Sequence, residues 1–114
     1  MEPYQMEEIA HVFKALSEQS RLVLLKNLMD HKRCTVTELV ELSGLSQANA
    51  SKHLKLLANA KLVSFQREGN CVYYRVASPM VEEICGVCCG YLDERDAEIL
   101  KKLSQKSPMG ASQK

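Results

Sequence analysis

Two adjacent segments with helix-capping signals, separated by a glycine, constrain the fold of this chain more than any other feature. Thr35-Val36-Thr37-Glu38 is a capping box, in which the threonine accepts from the glutamate amide and the glutamate side chain reaches back. Ser43-Gly44-Leu45 ends this helix because glycine adopts left-handed geometry at little cost. Ser46 then caps another helix, which runs to about Ala60. A helix of about two turns, a glycine turn and a helix that begins with polar residues form the helix-turn-helix pattern.

The flanking segments predict two earlier helices and a later hairpin. Apolar residues recur at helical spacing at Ile9, Val12, Phe13 and Leu16, and again at Leu22, Leu25, Leu28 and Met29. Ser17 is the predicted N-cap of the second of these helices. The runs 62–66 and 71–76 are β-branched and aromatic, and 67–70 contains a Gly-Asn pair that suits a tight turn. The predicted fold class is therefore mostly α with a two-stranded β-hairpin wing, a winged helix-turn-helix.

A long helix is predicted at the end of the chain. Ser78 and Pro79 open it, and its apolar stripe continues to about residue 103 through Val81, Ile84, Cys85, Cys88, Leu92, Ile99 and Leu103. The small core is already complete before this helix, so we expect the stripe to pair with a second copy of the chain. The predicted organisation is a DNA-binding and dimerisation domain over 1–103 and a disordered tail over 104–114, which is rich in Ser and Gln.

Length and composition narrow the class further. A chain of 114 residues holds one compact domain. No run approaches the roughly 18 apolar residues that cross a bilayer, and the acidic start lacks signal-peptide features, so we expect a cytoplasmic protein without a membrane partner. The five cysteines cannot all pair within one chain, and a reducing compartment favours thiolate or metal chemistry over disulfides.

Charge is distributed unevenly along the chain. Residues 44–78 carry five Lys/Arg against one Asp/Glu, whereas both flanking segments are slightly acidic. Between Leu42 and Arg67 there is no carboxylate at all. Such a segment suits a polyanion such as nucleic acid, because carboxylates at the contact would repel phosphate. A solvated basic face is the alternative interpretation of the charge pattern.

Together these segments resemble the ArsR/SmtB family of winged-helix repressors. The matching stretches are Phe13-Lys14-Ala15-Leu16-Ser17, Arg21-Leu22, Thr37-Glu38-Leu39, Gly44-Leu45-Ser46-Gln47, Ser51-Lys52-His53-Leu54-Lys55-Leu56-Leu57, Leu62-Val63 and Val72-Tyr73-Tyr74-Arg75-Val76. The resemblance implies a homodimer that binds double-stranded operator DNA and releases it when an inducer, usually a metal or metalloid ion, binds. It implies neither an enzyme nor an obligatory cofactor.

The candidate DNA-contacting residues lie mainly at the start of the fourth predicted helix. Outward-facing positions there are Ser46, Gln47, Asn49, Ser51 and Lys52, whose side chains suit adenine edges, guanine or phosphate. His53 and Lys55 match the family pattern and are included, although a packing role for His53 is an equal alternative. Arg67, at the predicted wing tip, is placed to reach a minor groove or its phosphates. Arg75 is interpreted as a structural surface ion.

Three cysteines on the last helix form the candidate inducer site. Cys85, Cys88 and Cys89 stand at positions i, i+3 and i+4, which share one helix face. Three sulfurs without a nearby histidine favour arsenite or antimonite over a closed tetrahedral zinc site, although the partner subunit offers room for a fourth ligand. The alternative is that these small side chains pack as hydrophobes at a dimer contact.

The ligand positions known in the family do not match this chain. Where its arsenic sensors carry Cys-Val-Cys, the sequence reads Thr35-Val36-Thr37, with Cys34 just before. Where its zinc sensors carry Asp and His ligands, it has Ser78, Met80 and Tyr91, and Lys26 replaces the cysteine of persulfide sensors. The cysteine cluster is thus either a separately evolved sensor or no sensor.

Three other functions agree with parts of the sequence. One is a redox or reactive-sulfur switch that uses the same cysteines. Another is a thiol oxidoreductase, because Cys85-Gly86-Val87-Cys88 is formally a C-x-x-C motif, but that chemistry needs a parallel sheet that the pattern does not supply. The last is an interaction module without DNA binding. Cys34 and Cys71 rank below the cluster as ligands.

Overall fold

The computed structural model describes the backbone of residues 1–111 and the side chains of residues 1–105. Its elements are α1 (Pro3–Leu16), α2 (Gln19–His31), α3 (Val36–Ser43), α4 (Gln47–Asn59), β1 (Val63–Glu68), β2 (Cys71–Val76) and α5 (Pro79–Ala111). The predicted order of helices and hairpin is confirmed. The chain divides into two compact units, Met1–Val81 and the part of α5 from Glu82 onward.

Local caps define the helix-turn-helix as the sequence predicts. Thr35 Oγ1 accepts from the Glu38 amide at 3.1 Å, and the Glu38 carboxylate accepts from the Thr35 amide at 2.8 Å. Gly44 ends α3 with φ of 77°, which suits a residue without Cβ, and its N–H donates to the Val40 carbonyl. Ser46 caps α4 by accepting from the Asn49 amide at 3.1 Å. The turn and the direction of α4 therefore follow from short-range hydrogen bonds.

The core of the first unit holds α4 against the other helices. Most of its fully buried side chains come from α2, α3, α4 and the segment that enters β1: Leu24, Leu25, Leu28, Leu39, Ala50, Leu54, Leu57 and Leu62. Cys34 before α3 and Val81 at the start of α5 are buried as well. On α4 the buried positions recur at three- and four-residue spacing and so form one face. The opposite face of α4 is consequently left to solvent.

The hairpin is longer in its first strand than the sequence predicts. β1 and β2 pair antiparallel from Val63↔Val76 to Glu68↔Cys71, so Arg67 and Glu68 belong to the strand and not to the turn. The turn needs only Gly69 and Asn70, and Gly69 has a positive φ of 64°. The sequence-based boundary was wrong because the pairing of a polar, exposed strand end leaves no hydrophobic signal.

A single-residue β-bridge ties the hairpin to the segment before α3. Cys34 is buried and exchanges two backbone hydrogen bonds with Tyr74 of β2, at 3.0 and 2.8 Å. Next to it, the Arg33 guanidinium stacks 4.0 Å above the Tyr73 ring and donates to Glu68 at 2.7 Å. The wing is therefore fastened to the segment before α3 by backbone contacts in the middle of β2 and by a side-chain contact next to the turn.

The predicted capping role of Ser17 is wrong. Ser17 is the C-cap of α1, where both its N–H and its hydroxyl donate to the Lys14 carbonyl, at 3.2 and 2.7 Å. The N-cap of α2 is Glu18. A serine between two helices can satisfy carbonyls of the first or amides of the second, and here the free carbonyl of the preceding turn prevails.

The last helix begins where the sequence predicts, with Ser78 Oγ accepting from the Met80 amide at 3.2 Å. It continues to Ala111, beyond the predicted end at about residue 103. Residues 112–114 lie outside the described residues, and the predicted disorder of 104–114 stays a prediction. In the described part of the chain, no helix is long and apolar enough to cross a membrane.

Candidate nucleic-acid interface

The exposed face of α4 carries most of the polar residues that the sequence predicts to contact DNA. The side chains of Ser46, Gln47, Asn49, Ser51, Lys52 and Lys55 are all exposed. Helical spacing arranges them in two rows, one with Gln47, Ser51 and Lys55 and the other with Asn49 and Lys52. No carboxylate lies on this helix. The face thus offers hydrogen-bond donors, acceptors and positive charge to a single ligand surface.

His53 does not belong to that exposed face. It is only 7% exposed, and its ring lies against the α1–α2 connection. Its Nδ1 lies 3.2 Å from a guanidinium nitrogen of Arg21, and its Nε2 lies 3.4 Å from Glu18 Oε1. We therefore withdraw His53 from the candidate DNA contacts in favour of the packing alternative, because a side chain buried in this network does not reach a base.

Sequence reasoning missed Arg21, which organises the same network. This buried guanidinium donates to the carbonyls of Ala15 and Lys14, at 2.6 and 3.2 Å, and to Glu18 Oε2 at 3.3 Å. It thereby satisfies free carbonyls at the end of α1 and connects them to α4 through His53. The sequence pointed to Arg21 only through the match of Arg21-Leu22 to the family pattern, and that match does not indicate what the side chain does.

The wing presents its basic residues differently from the prediction. Arg67 is exposed but lies within β1 opposite Val72, before the turn residues Gly69 and Asn70. Arg67 therefore belongs to the paired strand and not to the turn, one pair before the pair that closes the turn, and its exposure leaves it available to a ligand. Arg75 is exposed on β2 opposite Ser64.

The five cysteines differ in exposure. Cys34 is buried, and burial followed by the nearby Glu38 carboxylate raises its pKa. Cys71, Cys88 and Cys89 are exposed. Cys85 is half-buried, and its pKa is raised first by burial and then by the charges that Cys89 and Cys88 would carry. Cys85 thus holds its proton to higher pH than an ordinary thiol.

The cysteine cluster alone does not form a ready metal site in one protomer. Over the residues that the structure describes, no group of three or more His, Cys, Asp or Glu side chains is placed to hold a metal ion. The helical spacing of Cys85, Cys88 and Cys89 does put them on one side of α5. Any site there requires rotamer changes or ligands from another chain.

Comparison with known proteins gives consistent matches. A model of the MarR family matches residues 19–70, which include the helix-turn-helix. The arsenical resistance operon repressor of Bacillus subtilis is 32% identical over 90 residues, with 68% of this chain and 86% of that protein covered.

Solved structures are similar over most of the chain. The homodimeric winged helix-turn-helix DNA-binding domain of a possible ArsR-family regulator from Mycobacterium bovis superposes with a TM-score of 0.74 at 29% identity, covering 81% of this chain and 84% of that one. The structure of the antimony-specific transcriptional repressor AntR superposes with a TM-score of 0.75 at 26% identity, covering 84% of this chain and 86% of that one.

Proposed function

Since the chain belongs to the ArsR/SmtB family of winged helix-turn-helix transcriptional repressors, we propose that it is a homodimer that binds operator DNA through α4. The proposal includes the wing as a second contact and a thiophilic ion as the inducer. The family consists of DNA-binding regulators, not enzymes, and the Cys85–Cys88 segment lies inside a helix. The proposed place of action is the cytoplasm.

The observation that carries the proposal is the exposed, carboxylate-free face of α4. In a helix-turn-helix, the N-terminal part of the second helix enters the major groove. The side chains that begin α4 are Gln47 and Asn49, whose amides pair with the N6 and N7 atoms of adenine. Ser46, Ser51, Lys52, Lys55 and Arg67 complete the proposed contacts, chiefly to phosphate.

We expect the Gln47→Ala variant to lose operator preference while keeping general DNA affinity. A bidentate base contact contributes about 1–3 kcal/mol of discrimination, so operator affinity should fall about 5- to 150-fold for each half-site that uses it. The operator is obtained by selection from randomised duplexes, and binding is followed by fluorescence anisotropy beside a mixed-sequence duplex.

Asn59→Ala provides the control, because Asn59 is exposed on the same helix but at its far end. It should leave both affinities within about twofold, as surface substitutions usually do. Equal behaviour of the two variants on the operator would remove Gln47 from the reading surface.

The proposed dimer uses the apolar side chains that the protomer leaves exposed. On α1 these include Ile9 and Phe13, and on α5 they include Leu92, Ile99 and Leu103, each at least 40% exposed. Exposed apolar surface on long helices marks an association site. A symmetric dimer would place two α4 helices one helical turn of DNA apart, about 34 Å.

The proposed inducer site is the cluster of Cys85, Cys88 and Cys89. Arsenite and antimonite suit it because As(OH)₃ condenses with three protonated thiols, forming three As–S bonds and releasing three waters without net proton release. A divalent cation must instead displace thiol protons. The raised pKa of Cys85 therefore disfavours the divalent ion and leaves the metalloid reaction unaffected.

The proposed inducer acts by linkage between its site and DNA. If the ion binds better to a dimer whose two α4 helices do not match successive grooves, it lowers DNA affinity, and DNA lowers ion affinity by the same factor. A coupling of about 1–3 kcal/mol corresponds to a change of roughly 5- to 150-fold.

Arsenite should release the native dimer from its operator, and the Cys85→Ser, Cys88→Ser, Cys89→Ser variant should remain bound. Between about pH 6 and 8, arsenite affinity should be nearly constant, whereas Cd²⁺ affinity should rise with pH as thiol protons become easier to displace. Anisotropy and mass spectrometry of the intact dimer measure release and stoichiometry.

Cys71→Ser is the matched control, because Cys71 is exposed but lies on β2. It should release like the native chain. Release of the triple variant by arsenite would exclude the cluster. Release of the native dimer by peroxide or persulfide, but not by arsenite, would favour the redox alternative.

A further inference from the structure

A groove of about 620 Å³ lies between the end of α1 and α4, entirely within the first unit. We call it the α1–α4 groove. Its exposed lining includes His11 and Lys14 from α1 and Asn49, Lys52 and Leu56 from α4. Behind them lie the buried side chains of Arg21 and His53, which contact the exposed Glu18 carboxylate. The groove therefore joins a part of the chain outside the helix-turn-helix to the proposed DNA-reading helix.

The groove has an excess of positive charge. Within the described residues, neither Lys14 nor Lys52 forms an ion pair, whereas Glu18, the only carboxylate of its lining, lies 3.3 Å from the Arg21 guanidinium. That pairing offsets the negative charge and leaves the two lysine ammonium groups uncompensated. Such a surface attracts an anion, and the two lysine ammonium groups can both contact a phosphate group.

The position of the groove indicates which anion it would bind. A helix in the major groove is flanked on both sides by phosphate strands, since that groove is only about 12 Å wide. Of the two exposed rows on α4, the one with Asn49 and Lys52 lines the α1–α4 groove, and the other faces away from it. The phosphate strand on the side of Asn49 and Lys52 must therefore pass close to the end of α1.

We propose that the α1–α4 groove seats a backbone phosphate of the bound duplex between Lys14 and Lys52. This inference rests on the proposed function, since it requires α4 to enter the major groove. It assigns a DNA contact to α1, which precedes the helix-turn-helix. The contact is independent of base sequence, because phosphate carries no sequence information.

The test is the salt dependence of duplex binding by the Lys14→Gln dimer. Lys14 is exposed, and only its backbone carbonyl takes part in the hydrogen bonds described, so the variant keeps the fold. Binding of a labelled mixed-sequence duplex of about 30 base pairs is measured between about 50 and 200 mM salt. Losing one phosphate contact per protomer should make the slope of log affinity against log salt shallower by about 2 and weaken binding about tenfold or more.

Lys26→Gln makes the same change of charge away from the groove. Lys26 is 73% exposed on α2 and pairs with Asp30, and its loss should change affinity less than about twofold. If Lys14→Gln matches Lys26→Gln in affinity and in salt slope, the groove does not hold a DNA phosphate.

Three further outcomes separate the possible failures. If the native dimer binds no duplex even at low salt, the proposed function itself fails. If the native dimer binds and Gln47→Ala loses operator preference while Lys14→Gln is unaffected, only the groove assignment fails. Inorganic phosphate that binds the native dimer but not Lys14→Gln, with an unchanged salt slope for DNA, would assign the groove to a free anion and overturn the proposal.

Discussion

Replacing Arg21 with methionine is expected to lower the free energy of unfolding by about 2–4 kcal/mol, a large part of the stability of a small domain. Methionine fills much of the volume but donates no hydrogen bond. The carbonyl of Ala15 and Nδ1 of His53 would lose this partner, whereas the Lys14 carbonyl would keep its two donors from Ser17. Buried polar groups that are left unpaired carry the cost of desolvation without compensation.

The effect is measured by urea unfolding at fixed protomer concentration, since a dimer unfolds with concentration-dependent stability. Arg95→Met is the control, because Arg95 is 54% exposed and pairs only with Asp96, and it should change stability by less than about 0.5 kcal/mol. A loss as small as that of the control would show that the Arg21 network contributes no net stability.

Lysine at position 21 should recover little of the loss. Arg21 uses Nε and both terminal nitrogens toward different acceptors, and a lysine ammonium cannot reproduce that fork. Because His53 lies on α4, the methionine variant should also bind DNA more weakly under conditions where it is still folded. That second readout separates a positioning role from stability alone.

Introducing glutamate at both Leu92 and Ile99 is expected to raise the dimer dissociation constant by about a hundredfold or more. Both side chains are large, apolar and more than 40% exposed on α5. In a dimer that covers them, the substitutions would bury four carboxylates against an apolar surface, at a cost of several kcal/mol. Operator affinity should fall as dimerisation is lost, because two linked half-site contacts become two independent ones.

Lys101→Glu makes the same total change of charge on the opposite side of α5 and is the matched control. Sedimentation equilibrium should show a dimer for this control and a monomer for the double variant at the same concentration. A double variant that stays dimeric would exclude this stretch of α5 from the interface. The control also separates loss of dimerisation from general repulsion between the protein and DNA.

The parts of the fold that the sequence predicted depend on short-range signals. The Thr35 capping box, the left-handed Gly44 and the Ser46 cap each involve residues within four positions of one another. Their hydrogen bonds can therefore be predicted from short stretches of sequence. The exposed face of α4 was predictable for the same reason, because helical periodicity alone separates it from the buried face.

The features that the sequence did not reveal depend on contacts between distant segments. Arg21 and His53 are 32 positions apart, and nothing local distinguishes an arginine that turns inward from one on the surface. The helix end that Ser17 caps and the length of β1 likewise depend on which hydrogen-bond partners the folded chain places near them. For the cysteine cluster, the sequence predicts a shared helix face but not the chain that completes the ligand set.

The backbone bridge between Cys34 and Tyr74 has a consequence for the thermodynamics of association. Because it joins the middle of β2 to the residue just before the Thr35 cap, the hairpin keeps its orientation in the unliganded protein. Little conformational entropy then remains to be lost there when a large ligand docks, and only the two residues at the hairpin's end are left to adapt.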